Sequence, residues 1–188
     1  MSITRFVEYI DHEKKYSPYT ISAYQKDLSE FKEFCKTEFN TSKIEDVPYS
    51  LIRSWIVDRV ENGLTNRTIN RKISSLKSYY NFLLRTKQIN ESPLRKHQAL
   101  KSEKRVNVPF SEKEIREVQN RLENGADYES PTDKLIIELL YTTGMRRAEL
   151  IELRNESLDL SQRIVKVVGK RNKERQIPLL ESVVGTIQ

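Results

Sequence analysis

Cysteine is nearly absent from this chain. Cys35 is the only one in 188 residues, which excludes an internal disulfide and fits a reducing cytoplasm. Histidine is almost as scarce: His12 and His97 lie far apart and no CxxC accompanies them, so no metal centre is expected; nor is a cofactor expected. No apolar run approaches the ~20 residues that a membrane-spanning helix needs. Met1-Ser2-Ile3-Thr4-Arg5 leads into no apolar stretch of the kind that marks a secretory signal. Acidic residues are missing from one region. Residues 63–105 hold 11 Lys and Arg but only Glu91 and Glu103, and there is no acid at all between Gly63 and Ile89.

What is present describes a polar, helix-rich protein with 37% hydrophobic and 32% charged residues, long enough for two small domains. The net charge of +6 is unevenly spread: residues 1–110 carry 20 basic against 13 acidic residues, and residues 111–188 carry 13 against 14. A basic block of this kind is the electrostatic footprint of a phosphate-backbone binder; a solvated lysine-rich surface is the plainer reading.

Hydrophobic spacing divides the first half into four helices. The first covers Ser2 to about Glu13, with Ile3, Phe6, Val7 and Ile10 inward. The second opens at Pro18 and reaches about Glu38, with Ile21, Tyr24, Leu28, Phe31 and Cys35 on one stripe. A third opens at Pro48, is expected to bury Leu51, Ile52, Trp55, Ile56 and Val60, and ends at Asn62-Gly63. The fourth runs from about Asn66 to Lys87. At 100° per residue, Ile69, Ile73, Leu76, Tyr80 and Leu83 fall within about 40° of one direction, and Arg67, Arg71, Ser74, Ser78 and Arg85 within about 40° of the opposite one. Arginines kept for solubility usually alternate with glutamate. This face has none, and its small hydroxyl side chains permit close approach to a phosphate backbone or groove.

Residues 93–110 read as a basic linker between Pro93 and Pro109. Ser111-Glu112-Lys113-Glu114 is a capping box opening a helix to about Glu123. Ser130-Pro131 begins another that breaks at Thr143-Gly144, followed by a short helix over Arg147 to Leu153. Arg163–Val168 and Arg175–Leu179 read as two strands of a β-hairpin joined by a Gly-Lys-Arg-Asn-Lys-Glu turn. Arg146 stands just after the glycine break, where a guanidinium could clamp two phosphate oxygens. Glu149, one turn on, could orient it or form a plain i,i+3 surface pair. Lys170 in the turn could donate a proton to a leaving alkoxide, or be a solvated turn lysine.

Together these blocks resemble the Xer-like branch of the tyrosine recombinase/phage integrase family. Leu139 to Leu153 is similar to the block around that family's first catalytic arginine. Val167 to Leu179 is similar to its catalytic-lysine hairpin, and the interval from Arg146 to Lys170 agrees with the family pattern. Ser17, Thr20, Tyr24, Asp27, Leu28 and Phe31, then Thr65, Arg67, Arg71, Lys72, Leu76, Tyr79 and Tyr80, resemble its helical core-binding domain. The resemblance implies a mainly α fold: a four-helix SAM-like core-binding domain (1–92), the linker (93–110) and the N-terminal part of an α+β catalytic domain (111–188). It also implies a cytoplasmic protein that recombines or integrates DNA at specific sites through a 3′-phosphotyrosyl intermediate. Arg146 would hold the scissile phosphate, Glu149 would support the site and Lys170 would protonate the departing 5′ oxygen. Arg67, Arg71, Lys72, Ser74, Ser78, Arg85 and Thr20 would face double-stranded DNA, and the full-length protein would form a tetramer on two DNA sites, alone or with a second recombinase.

The family's His-x-x-Arg motif and nucleophilic tyrosine, expected after the hairpin, are not found: none of the nine tyrosines lies beyond Tyr141. Residues 1–188 are therefore expected to bind DNA without cleaving it. A naturally short, non-catalytic protein that occupies recombination sites or regulates a full-length recombinase fits the same residues. The reading frame beyond Gln188 separates the two. A helix-turn-helix transcription factor would leave the Arg146 and Lys170 blocks unexplained.

Overall fold

Ser17 and Thr65 are the caps on which the first half of the fold is framed. The Ser17 hydroxyl accepts from the Thr20 N–H at 3.4 Å, and the Thr65 hydroxyl from the Thr68 N–H at 3.3 Å. Each satisfies a donor that a helix start leaves open. The computed structural model describes residues 2–103, 106, 108–123, 131–169 and 173–187. It is mainly α-helical with one small antiparallel sheet, and it divides into two compact units, Met1–Arg105 and Val106–Gln188.

In the first unit α1 (Ser2–Glu8) runs into a π-helical turn (Tyr9–Glu13), followed by α2 (Pro18–Phe39), α3 (Tyr49–Glu61) and α4 (Asn66–Arg85). α4 packs on α2, α3 and α1. Its expected inward residues Ile69, Ile73, Leu76, Tyr80 and Leu83 are all buried, with Phe6, Leu28, Phe31, Ile52 and Trp55 across from them. Phe31 and Trp55 meet edge to face at 5.1 Å, and the Tyr80 hydroxyl donates to the Ile44 carbonyl at 2.8 Å. Cys35 is fully buried, which pushes its thiol up to about 11. One expectation for α3 fails: Val60 is 47% exposed. The helix ends one residue later, and Gly63 follows at φ +78°.

The chain from Pro93 to Lys101 lies against this unit. Leu94 is buried. The Asn70 side chain holds both backbone groups of Leu100, donating to its carbonyl at 2.8 Å and accepting from its N–H at 2.9 Å. Asn66 donates to the Lys101 carbonyl at 2.7 Å.

The second unit contains α5 (Glu112–Glu123), α6 (Pro131–Thr143), α7 (Arg147–Ile151), a 3-10 turn (Asn155–Ser157), β1 (Leu158–Asp159), β2 (Ile164–Gly169), β3 (Lys173–Pro178) and α8 (Glu181–Ile187). The expected capping box opens α5: Ser111 Oγ accepts from the Glu114 N–H, and the Glu114 carboxylate accepts from the Ser111 N–H. The sheet order is β1-β2-β3, antiparallel throughout, with Val165 opposite Ile177 and Val167 opposite Arg175. Among the described residues, the core of this unit includes Leu139, Met145, Val165, Val167, Leu179 and Val183. No described helix is long and apolar enough to cross a membrane.

Candidate functional site

The break between α6 and α7 is made by Gly144. Its φ of +61° is a left-handed conformation that side chains disfavour, and its N–H closes on the Leu140 carbonyl at 3.2 Å. Met145 then plugs the core, and Arg146 becomes the N-cap of α7 in an extended conformation. Glu149, three residues on, reaches back: its Oε2 accepts from the Arg146 N–H at 2.7 Å and its Oε1 from Arg146 Nη1 at 2.8 Å. Half a capping box thus also fixes the guanidinium. The Glu149 side chain is only 4% exposed, whereas that of Arg146 is 67% exposed.

A residue not singled out from the sequence completes this arrangement. Arg175 on β3 pairs with Glu149 through both terminal nitrogens, Nη1 to Oε1 and Nη2 to Oε2, each at 2.8 Å. Its signal was available. β3 is inward at alternate positions, and Arg175 shares its face with Ile177. The hydrogen bonds from Arg175 lead the causes that hold the Glu149 carboxyl down to about 2, followed by the Arg146 N–H; burial works against them. Gly169 permits the approach: a Cβ there would stand 3.2 Å from both Arg175 Nη1 and Glu149 Oε1. Two guanidinium charges on one carboxylate leave a net positive node. Arg146 uses one side-chain donor internally, which leaves the rest of its fork for the oxygens of an anion. Lys170 lies outside the described residues; β2 and β3 pair as far as Gly169↔Lys173.

The expected DNA-facing residues divide into two groups. Arg67, Arg71, Ser74 and Arg85 are exposed on α4, Ser78 is half-buried, and Thr20 is half-buried in the first turn of α2. Arg85 donates to the Tyr9 hydroxyl and lies 5.9 Å over its ring. Ser74 donates to the Asn70 carbonyl at 2.9 Å. Lys72 departs from the expectation. It is 6% exposed, and its ammonium donates to Asp27 at 3.0 Å and to Glu30 at 2.5 Å. One helical position off the arginine stripe turns it into the α2–α4 contact and away from any outside phosphate.

Asp27 is the centre of that contact. It is 1% exposed and accepts from Arg71 Nη1 (2.7 Å), Arg71 Nη2 (2.9 Å), Lys72 (3.0 Å) and the Ser75 hydroxyl (2.7 Å). Burial alone would raise its pKa. The bonds from Arg71, Ser75 and Lys72 outweigh burial and place it below the ordinary carboxylate value. Among the described residues, no group of three or more His, Cys, Asp or Glu could hold a metal ion.

The profile of the phage integrase N-terminal SAM-like domain matches residues 3–87, and that of the phage integrase family matches residues 110–188. Tyrosine recombinase XerC of Bacillus licheniformis is 39% identical over 179 residues, covering 94% of this chain and 57% of its own length. Tyrosine recombinase XerD of Shewanella oneidensis is 31% identical over 189 residues, covering 99% and 61%. The chain therefore spans about three fifths of the length of these relatives. In fold it is similar to the Tn1549 transposon integrase, solved in complex with a circular intermediate DNA, with a TM-score of 0.74 at 19% identity over 98% of this chain and 63% of that one.

Proposed function

The chain belongs to the phage integrase family of tyrosine recombinases, and from that premise we propose that residues 1–188 hold duplex DNA and cradle one backbone phosphate for site-specific recombination. The observation that carries the reading is the Glu149 node, an exposed Arg146 guanidinium aimed by a buried carboxylate that Arg175 also grips. Such a fixed donor array stabilises charge developing on a phosphate without reorganising. Arg146 would hold the non-bridging oxygens, Glu149 and Arg175 would position it, and Lys170 would protonate the departing 5′ oxygen. Residues 1–92 would supply most of the DNA-holding surface through Arg67, Arg71, Ser74, Ser78 and Arg85, with Thr20 at the start of α2. The chain from 93 to 110 would connect this domain to the phosphate-holding part, residues 111–188.

Residues 1–188 offer no tyrosine past Tyr141 and no His-x-x-Arg motif, so strand cleavage requires groups they do not contain. A longer protein carrying those groups would act in the cytoplasm as a tetramer on two DNA sites. The test is binding of residues 1–188 to duplex DNA across a salt series, beside trapping on a nicked suicide duplex. Log K falling steeply with log salt, with no covalent complex, is the expected result. A flat salt response overturns the DNA reading. A covalent adduct overturns the catalytic incompleteness.

A further inference from the structure

The arginines on the exposed face of α4 are not equivalent. Arg67 is exposed and has no ion-pair partner among the described residues. Arg71 is half-exposed, with its two terminal nitrogens locked end-on onto a carboxylate that is 1% exposed. We infer that Arg71 is a specificity-determining residue that reads a base edge of duplex DNA, and that Asp27 is the positioning residue that aims it. The inference rests on the DNA-holding reading of α4.

Three observations favour a base edge over a phosphate. Asp27 and Glu30 balance Arg71 and Lys72 in charge within one cluster. The cluster therefore adds almost nothing to the far field that draws phosphates and releases counterions. Yet the end-on pair occupies only part of the guanidinium fork. Nε–H and the outer Nη–H groups remain as a rigid set of donors, matching the paired acceptors that guanine presents in the major groove. Holding a long side chain in place beforehand also removes most of the ordering cost of a directed contact. Finally, Ser74 and Ser78 continue the Arg71 stripe toward the C-terminus of α4 with small side chains, so the helix could approach the floor of a groove. Arg67, with its uncompensated charge, would supply the sequence-blind attraction.

The experiment selects preferred duplexes from a random-sequence pool with the wild-type chain. It then compares affinity for a selected duplex and for the unselected pool across a salt series, using Arg71→Lys, Asp27→Asn and Arg67→Lys. Arg71→Lys keeps the charge on an exposed side chain and is expected to lose about tenfold or more in the ratio of selected-duplex to pool affinity. Asp27→Asn is expected to lose the same preference but to bind the pool more tightly, with a steeper salt slope, because the Arg71 charge is no longer balanced. A merely structural role for Asp27 would not produce that opposite movement. A melting curve checks that this variant folds, and Arg71→Lys decides the matter if it does not. Arg67→Lys is expected to keep the preference. Full preference in Arg71→Lys, equal losses in Arg67→Lys and Arg71→Lys, or wild-type DNA binding with no sequence enriched would each overturn the inference. No wild-type binding to any duplex would fell the DNA reading itself, and the inference with it.

Discussion

The two units solve the problem of holding an exposed arginine in different ways. In the first, 18 buried hydrophobic residues form a core around α4, and the Asp27 cluster is set into that core between two long helices. In the second, six buried hydrophobics are described, and the short helix bearing Arg146 is secured by Glu149 reaching to its own N-cap and to a strand 26 residues away. Large cores tolerate a buried carboxylate because packing fixes the geometry around it. Around α7 the carboxylate itself does much of the fixing. The carboxylate bridges two long helices in one unit and ties a short helix to a strand in the other.

The sharpest way to break this comparison is Asp27→Ala. It strands the buried Lys72 ammonium with Glu30 as its remaining anion and is expected to cost about 4 kcal/mol, measured by urea unfolding. Trp55 is the only tryptophan and lies in the first unit, so its fluorescence reports that unit. A core truncation, Leu76→Ala, is expected to cost about 3 kcal/mol by the same signal, because the rigid surroundings cannot close the cavity. Leu139→Ala in the second unit, where the side chain is 3% exposed against 0% for Leu76, is expected to fall at the low end, about 2 kcal/mol by calorimetry of the whole chain; a cost equal to that of Leu76→Ala would erase the distinction. Loss of the Thr65 cap in Thr65→Ala is expected to remove about 1 kcal/mol from the first unit.

Acid offers a graded test of the second unit. The Glu149 carboxyl is depressed from 4.5 to about 2. Below 4.5 the unfolded chain takes up a proton that the folded chain refuses, so the stabilisation is complete above that value. It is lost progressively as pH falls toward about 2. Glu149→Gln is expected to flatten the acid branch of the stability curve between those limits, and an unchanged branch would remove Glu149 from its role as anchor.

The division between what the sequence showed and what it hid follows from the length of the signal. α4 was legible because its apolar positions repeat from Ile69 to Leu83 over about four turns, and the Gly144 break because a left-handed residue needs glycine. β1 has two residues and α8 has seven, one of them Gly185, so neither sustains a period. The Asp27 cluster was overlooked although Asp27 sits beside Leu28 on the apolar stripe of α2, three residues after Tyr24 and four before Phe31. A carboxylate on such a stripe requires partners, and Lys72 and Ser75 flank Ile73 and Leu76 on the facing helix. Arg175 was missed because its partner Glu149 is remote in sequence, and a strand arginine next to a turn reads as solvated until the alternation with Ile177 is counted.

The Asn70 clamp has a consequence of another kind. One side-chain amide gives Leu100 both the donor and the acceptor that a neighbouring strand would supply, in a stretch with no helix or strand of its own. In deuterated solvent the Leu100 amide should therefore stand alone, exchanging slowly among fast neighbours. Its protection would measure how often a single asparagine lets go.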